Sequence, residues 1–414
     1  MTIFGIREAA GAPLIRALSE RDLPSSAMIE RFARAIFTGI TEPGDRIAGT
    51  IIDVLGVTEA LTAVLERWSP ERLLSAIVDY TEVSCEELAA AQARWQPRVH
   101  SLDVLSPLKQ AVRFGARLIV PGDQEWPVGV DDLGVHRPIA LWMRGNMAAL
   151  GSVRRSIALV GARAATGYGE HITMEASAGL VDRGYAITSG AAYGIDGMAH
   201  RAALASSGQT IAFLAGGVDR FYPSGHDALL TRIVAEGAVV SELPCGAPPT
   251  KWRFLQRNRL IAASSLATIV LEAGWRSGSL NTAGHAAALG RPLGAVPGPV
   301  TSAASAGCHR LIRDFDAVCV TSASEMAELA PLDSTDPEED KLDEGRAEAG
   351  PEPTMESART TRVIDALSVR AGRSTENIAA RAGLAIAEVQ SVLGVLEIEE
   401  KVKENSMGWV IKRG

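Results

Sequence analysis

Aromatic residues are scarce in this sequence, at 5% of 414 residues, and there are only four cysteines. Cys85, Cys245, Cys308 and Cys319 form no CxxC pair, and no histidine stands at ligand spacing from any of them. That excludes a disulfide framework and a zinc site of the usual sequence pattern, so no metal is expected. The first glycine-rich turn, GARAATGYG, lacks GxGxxG spacing, so nothing points to a dinucleotide and no cofactor is expected. No apolar run approaches the roughly 18 residues that span a bilayer, so no membrane partner is expected either. The opening stretch MTIFGIREAAGAPLIRALSE has no uninterrupted apolar segment of the kind a secretory signal needs. A reducing, cytoplasmic location is the expectation. The net charge is −8, so the chain as a whole has no electrostatic footprint for nucleic acid.

Hydrophobic residues make up 47% of the chain, with 40 glycines and 20 prolines. Bulk disorder is therefore excluded. A glycine-rich, aromatic-poor balance suits an α/β protein with many tight strand-to-helix turns, and the length allows two or three domains. The charge is unevenly spread. Residues 1–106 carry 10 basic and 15 acidic groups, whereas 107–330 carry 20 and 17. Residues 331–353 carry 2 and 9, and the window 251–300 has six basic residues against one acidic.

Residues 1–106 have the apolar spacing of helices, punctuated by Pro24, Pro43 and Pro70. Short apolar segments at Ala116–Val120 and Ile139–Met143 precede a regular strand, turn, helix rhythm. Its strands are predicted at Ile157–Val160, Tyr185–Thr188, Thr210–Leu214, Ala238–Ser241, Ala267–Leu271, Leu293–Val296 and Ala317–Val320. Continuously apolar strands alternating with helices predict a parallel sheet covered on both faces. Residues 331–356 are acidic, with Pro and Gly, and read as a disordered linker. Residues 357–414 have the order helix, capped helix at Ser374 or Thr375, long helix and hairpin, which predicts a winged helix. Its would-be recognition segment carries Glu388, Glu397, Glu399 and Glu400, with no basic residue before Lys401. Such a face repels phosphates, which favours protein contact over base reading.

Four segments of the central region carry candidate chemistry. In IALVGARAATGYGE a strand ends at Gly161 and a helix opens near Tyr168, placing Arg163 and free amides at the sheet's carboxyl edge. That is an anion site, or else a tight turn needing positive φ. In ITSGAAYGIDGMAHRAAL, Ser189 and Gly190 end a strand and Gly194 precedes a helix. Asp196 is expected as its N-cap, with His200 one turn on. In KWRFLQRNRLIAASS, four of the nine residues from Lys251 to Arg259 are basic, interleaved with Trp252 and Phe254. Positive charges track phosphates and aromatic faces stack bases; the alternative is a solvated basic helix start. In IVLEAGWRSGSLNTAGHAAALG a strand ends near Glu272 and a small-residue loop, Ser277–Gly278–Ser279, opens a helix. Four such loops at one sheet edge would build a groove of polyanion size.

Together these segments resemble the DprA/Smf family of DNA-processing proteins. The resemblance runs through VGARAATGYG, TSGAAYGIDGMAHRAAL, LAGGVDRFYPSGHDAL, SELPCG, FLQRNRLIAASS, LEAGWRSGSLNTAGHAA, AVPG and SAGCHRLI, and covers about 107–322. It implies an extended Rossmann-like domain at 107–330 that binds single-stranded DNA, a helical domain of the sterile-alpha-motif type at 1–106, and a winged helix at 357–414. It implies a homodimer that loads RecA recombinase onto single strands, in natural transformation and homologous recombination, with other competence or single-strand-binding proteins as further partners. No catalytic activity is implied. Residue by residue, the resemblance assigns DNA contacts to Gly161, Arg163, Ser189, Gly190, Gly194, Lys251, Arg257, Asn258, Arg259, Ser277, Gly278 and Thr282. Two stretches depart from the family pattern. TEPGDRIAGT stands where a glycine-paired hairpin between helices is expected, and Tyr193 stands where a basic residue is common.

The alternative is a nucleotide- or nucleoside-processing enzyme on a related Rossmann-like fold, with Glu272 as acid or base and Arg257 as phosphate anchor. A scaffold acting mainly through its winged helix is a third possibility.

Overall fold

The β-branched and alanine-rich runs of the central region become strands because both of their faces are covered. In the computed structural model, which describes residues 2–4, 6–19, 23–332, 355–369, 371–405 and 407–412, nine strands among the described residues form one sheet. They are β1 (Arg117–Ile119), β2 (Leu141–Gly145), β3 (Ser156–Gly161), β4 (Ala186–Ser189), β5 (Thr210–Phe213), β6 (Ala238–Ser241), β7 (Ala267–Glu272), β8 (Leu293–Ala295) and β9 (Val318–Cys319). The spatial order is β9-β8-β7-β3-β4-β5-β6-β2-β1. Strands β3 to β9 pair in parallel, with Ile157 opposite Ile187 on one side and Ala267 on the other. The edge formed by β1 and β2 is antiparallel, Trp142 facing Ser241 of β6. The expected strands are present; the antiparallel edge was not anticipated.

The chain runs from β3 outward through β4, β5 and β6, then returns to place β7 on the other side of β3. This doubly wound order makes the sheet Rossmann-like. It also opens a crevice at the carboxyl ends of β3 and β7, the switch point where such sheets take their ligands. Crossover helices flank the crevice or cover the faces, among them Ala306–Asp314 between β8 and β9.

Helices are numbered here in chain order, beginning with three in the N-terminal region: α1 (Ser25–Ile40), α2 (Arg46–Leu55) and α3 (Cys85–His100). The crossovers from β3 to β8 are α4 (Gly167–Asp182), α5 (Ile195–Ala205), α6 (Asp227–Glu236), α7 (Lys251–Ser264) and α8 (Ser279–Ala288). One sheet face buries Val160, Phe213 and Val240 under α7 and α8. The other buries Leu159, Ile187 and Ile269 under α4 and α5. A further cluster joins Phe37, Ile40 and Trp95 of the N-terminal helices to Trp142 and Val239 of the sheet.

The C-terminal unit has its own core around Val363, Ile378, Leu393 and Val402. It consists of α9 (Met355–Ala366), α10 (Thr375–Ala382), α11 (Ile386–Ile398) and an antiparallel hairpin of β10 (Val402–Asn405) and β11 (Gly408–Ile411). Ser374 caps α10 by accepting the Asn377 N–H, and Gly383 closes it in the left-handed conformation at φ +64°. This unit rests on α3 and α7. Arg98 Nε donates to the Ala380 carbonyl at 2.8 Å, the Lys251 N–H donates to Asp365 at 2.6 Å, and Arg362 stacks over Trp252 at 5.3 Å. Of the acidic segment 331–356, residues 333–354 lie outside the described residues.

Candidate functional site

The switch-point crevice is a cavity of about 550 Å3, within the range of small-ligand sites but open at its mouth. Its floor begins where β3 ends. The Ala162 N–H donates to the Glu272 carbonyl at 2.7 Å, and the Ala162 carbonyl accepts the Ile195 N–H at 3.1 Å. The second bond starts α5 directly at Gly194, whose φ of +74° and close approach to Ala162 leave no room for a Cβ. The β3 turn, the β4 turn and the end of β7 are thus stapled into one surface. Thr166 caps α4 by accepting the Gly169 N–H at 3.1 Å, and donates its own N–H and hydroxyl to the Glu272 carboxylate at 2.8 and 2.6 Å.

Helix α7 forms the opposite wall. Arg257 is 5% exposed, and its Nη1 donates to the Gly190 carbonyl at 2.7 Å and to the Phe213 carbonyl. Burial lowers its guanidinium to about 10, an effect opposed by Asp196, so it remains a cation at neutral pH. Asp196 is buried beside it, and that burial raises its carboxyl, with Arg257 pulling the other way. Asn258 ties the walls together, its Nδ2 donating to Asn281 Oδ1 at 3.2 Å and to the Gly278 carbonyl at 3.4 Å. At the mouth stand Arg163 and Arg276, both exposed lining residues. The Arg163 guanidinium lies 5.2 Å from the centre of the Phe254 ring, and no carboxylate among the described residues pairs with either arginine. Three cations against one buried carboxylate make this cavity an anion cradle, with its two unpaired charges where an extended polyanion would pass.

Seven of the predicted site residues meet here: Gly161, Arg163, Arg257, Asn258, Ser277, Gly278 and Thr282. Gly190 belongs through its carbonyl, and Gly194 through the turn it permits. Ser189 is buried, its hydroxyl donating to the Leu159 carbonyl at 2.7 Å, so it holds β4 to β3. Two others lie elsewhere. Lys251 is exposed at the start of α7, beside the C-terminal unit rather than the cavity. Arg259 is two residues beyond Arg257, hence about 200° round the helix. It is buried on the opposite face and paired twice with Glu242, at 2.8 and 2.6 Å.

Other expectations are corrected as well. Asp196 is not the cap of α5, because Gly194 starts the helix and the Asp196 carboxylate accepts the Ala192 N–H at 3.4 Å instead. His200, one turn on, bonds Thr210 Oγ1 at 2.7 Å. Since that hydroxyl donates to the Ile187 carbonyl, His200 Nδ1 is the donor. Glu272, 2% exposed, engages both oxygens with Thr166. It supports the floor. The basic helix start is not solvated, since Arg253, Arg257 and Arg259 are all buried. Arg276 is not among the predicted residues; its position directly before Ser277 is the signal that the sequence offers.

The fold and site define a doubly wound, Rossmann-like protein with a cationic crevice at its topological switch point. Residues 117–331 match the family described as DNA recombination-mediator protein A. The putative DNA processing protein DprA of Mycobacterium tuberculosis is 45% identical over 316 residues, covering 74% of this chain and 79% of its own. Protein Smf of Escherichia coli is 40% identical over 211 residues, 51% of this chain and 56% of its own. The crystal structure of DNA processing protein A from Streptococcus pneumoniae superposes with a TM-score of 0.57 at 28% identity, covering 75% of this chain and all of that one. The chain belongs to the DprA/Smf family of DNA-processing proteins. Among the described residues, no single helix is long and apolar enough to cross a membrane.

Proposed function

We propose that this protein binds single-stranded DNA along the switch-point crevice and promotes loading of RecA onto it, in homologous recombination and natural transformation. The observation that carries the reading is the convergence of Arg163, Arg257 and Arg276 on one open cavity, with the outer two unpaired. The strand-end amides of Ala162, Thr166 and Ile195 are bonded to protein acceptors rather than left free, so it is the arginines that suit a phosphate backbone, leaving the bases to be held without sequence reading. RecA as recipient rests on family membership, as do the homodimer, further single-strand-binding partners and a cytoplasmic location. No catalytic step is part of the proposal. The division into 1–106, 107–330 and 357–414 is likewise proposed, supported by a separate hydrophobic core in the last of these.

The test is binding of a labelled single-stranded oligonucleotide at several salt concentrations, for the unaltered chain and for Arg163→Ala with Arg276→Ala. Affinity should fall with salt, and the double variant should bind more weakly with a slope shallower by about 1.4, some 0.7 for each lost phosphate contact. Salt-insensitive binding, or none, would sink the proposal. RecA filament nucleation on the same oligonucleotide should quicken with the unaltered protein and not with the variant.

A further inference from the structure

We propose that Trp275, braced by Arg310, is a stacking platform for an unpaired base at the mouth of the crevice. The inference rests on the single-strand reading above and specifies what the site recognises besides phosphates.

Trp275 lies between Gly274 and Arg276, both of which line the cavity. It is 55% exposed, which leaves a large apolar surface in water. The Arg310 guanidinium lies over the ring, 5.1 Å from its centre, and also 5.3 Å from the ring of Phe315. A cation held over an aromatic ring fixes the ring's orientation. Arg310 itself is barely engaged elsewhere, its nearest carboxylate being Asp314 at 4.0 Å. The indole is therefore both presented and braced.

The placement of aromatics around the crevice is uneven for so aromatic-poor a chain. Six aromatic side chains are exposed among the described residues, and four of them, Tyr168, Tyr193, Tyr222 and Trp275, flank its loops. Tyr193 follows the lining residue Ala192 and edges onto His226 at 4.8 Å, while Tyr222 meets Phe254 at 5.5 Å. Those two are thus partly covered by neighbouring rings. Trp275 has the largest ring of the four and is followed at once by Arg276, an unpaired cation. A nucleotide offers the same alternation of a flat base beside a phosphate. Stacking needs a base face that no neighbouring base covers, and duplex base pairs are stacked on one another, so the platform favours single strands over duplex.

The experiment compares Trp275→Ala and Trp275→Phe with the unaltered chain on two ligands. One is a short oligothymidylate; the other is a deoxyribose-phosphate oligomer of the same length without bases. Trp275→Ala should lose about 5- to 150-fold on the oligothymidylate, the range that corresponds to one stacked base. It should be unchanged on the baseless oligomer, and Trp275→Phe should recover most of the loss. Equal loss on both ligands would make the residue structural, and no loss on either would assign it to something other than DNA; both outcomes overturn the platform. Failure of the unaltered chain to bind either ligand would overturn the single-strand reading and the platform with it. Because Trp275 is a surface side chain, matching thermal melts for all three proteins confirm that the comparison is of folded chains.

Discussion

Arg257 and Gly190 touch across the crevice: the guanidinium donates to the glycine's carbonyl at 2.7 Å, and a Cβ at position 190 would stand 2.4 Å from Nη2. The buried arginine can be held there only because residue 190 has no side chain. Gly190→Ala should therefore displace the guanidinium and cost roughly 1–3 kcal/mol of stability as overpacking. Oligonucleotide affinity should fall with it. Gly284 in α8 is the control, since a Cβ there would meet nothing within 4 Å. Gly284→Ala should be neutral or stabilise by up to about 1 kcal/mol through helix propensity. Urea unfolding of the two variants side by side checks the contrast. Equal effects would mean that the Arg257 contact is not a constraint.

Glu42 joins three regions of the chain. Its carboxylate accepts from Arg98 of α3 and from Arg253 of α7, at 3.2 and 2.9 Å for the latter, while Arg362 of the C-terminal unit adds a third nearby charge. Burial alone would raise this carboxyl, but the arginines hold it well below the usual carboxylate range. Replacing it with the neutral amide in Glu42→Gln leaves buried cations uncompensated, a loss of about 3–5 kcal/mol where one partner of a buried pair is removed. The C-terminal unit should then loosen first. Hydrogen exchange is the measurement, with faster exchange expected across α9 and α10 and little change in β3, β4 and β7. Uniform loss of protection would show that the ion cluster supports the whole fold instead.

Much of the sheet was legible because continuously apolar runs between turn residues have few alternatives in a chain this rich in alternating helices. The antiparallel edge was not, since Leu141–Met143 is buried on both faces and looks the same whichever way its neighbour runs. Within the site, glycines and small residues at strand ends marked where the crevice lies. What they could not show was which face of α7 each basic residue takes. Arg257 and Arg259 look alike in sequence, yet one reaches the cavity and the other is buried against Glu242. Long-range partners such as Glu42 and Glu242 neutralise charges that appear free in a linear reading.

Glu272 and Thr166 should behave as one unit. Glu272→Gln retains one acceptor but turns an amide toward a donor, and Thr166→Val removes both the hydroxyl bond and the cap of α4. Each should destabilise by about 1–2 kcal/mol. The double variant should lose less than the sum, with a coupling of about 0.5–3 kcal/mol. Oligonucleotide binding should persist in Glu272→Gln. Abolition by that variant of a measurable nucleotide-hydrolysis activity would instead make the carboxylate catalytic.

Acid should weaken the fold through two histidines. Burial lowers His200 to about 3, and burial with the nearby Arg259 lowers His285 to about 4. Both are neutral in the folded protein at pH 7 and titrate near 6.5 when unfolded. Below that value the unfolded chain binds protons that the folded one refuses, so stability is complete above about pH 6.5 and declines as pH falls toward 4. Glu42, held low by its arginines, adds loss of the same sign at still lower pH. Urea midpoints measured from pH 7.5 to 4.5 should fall continuously once pH drops below about 6.5. His200→Asn, which keeps a donor for Thr210 but cannot titrate, should be less stable at pH 7.5 yet show a shallower decline. An unchanged slope in that variant would mean that His200 is not the group that resists protonation.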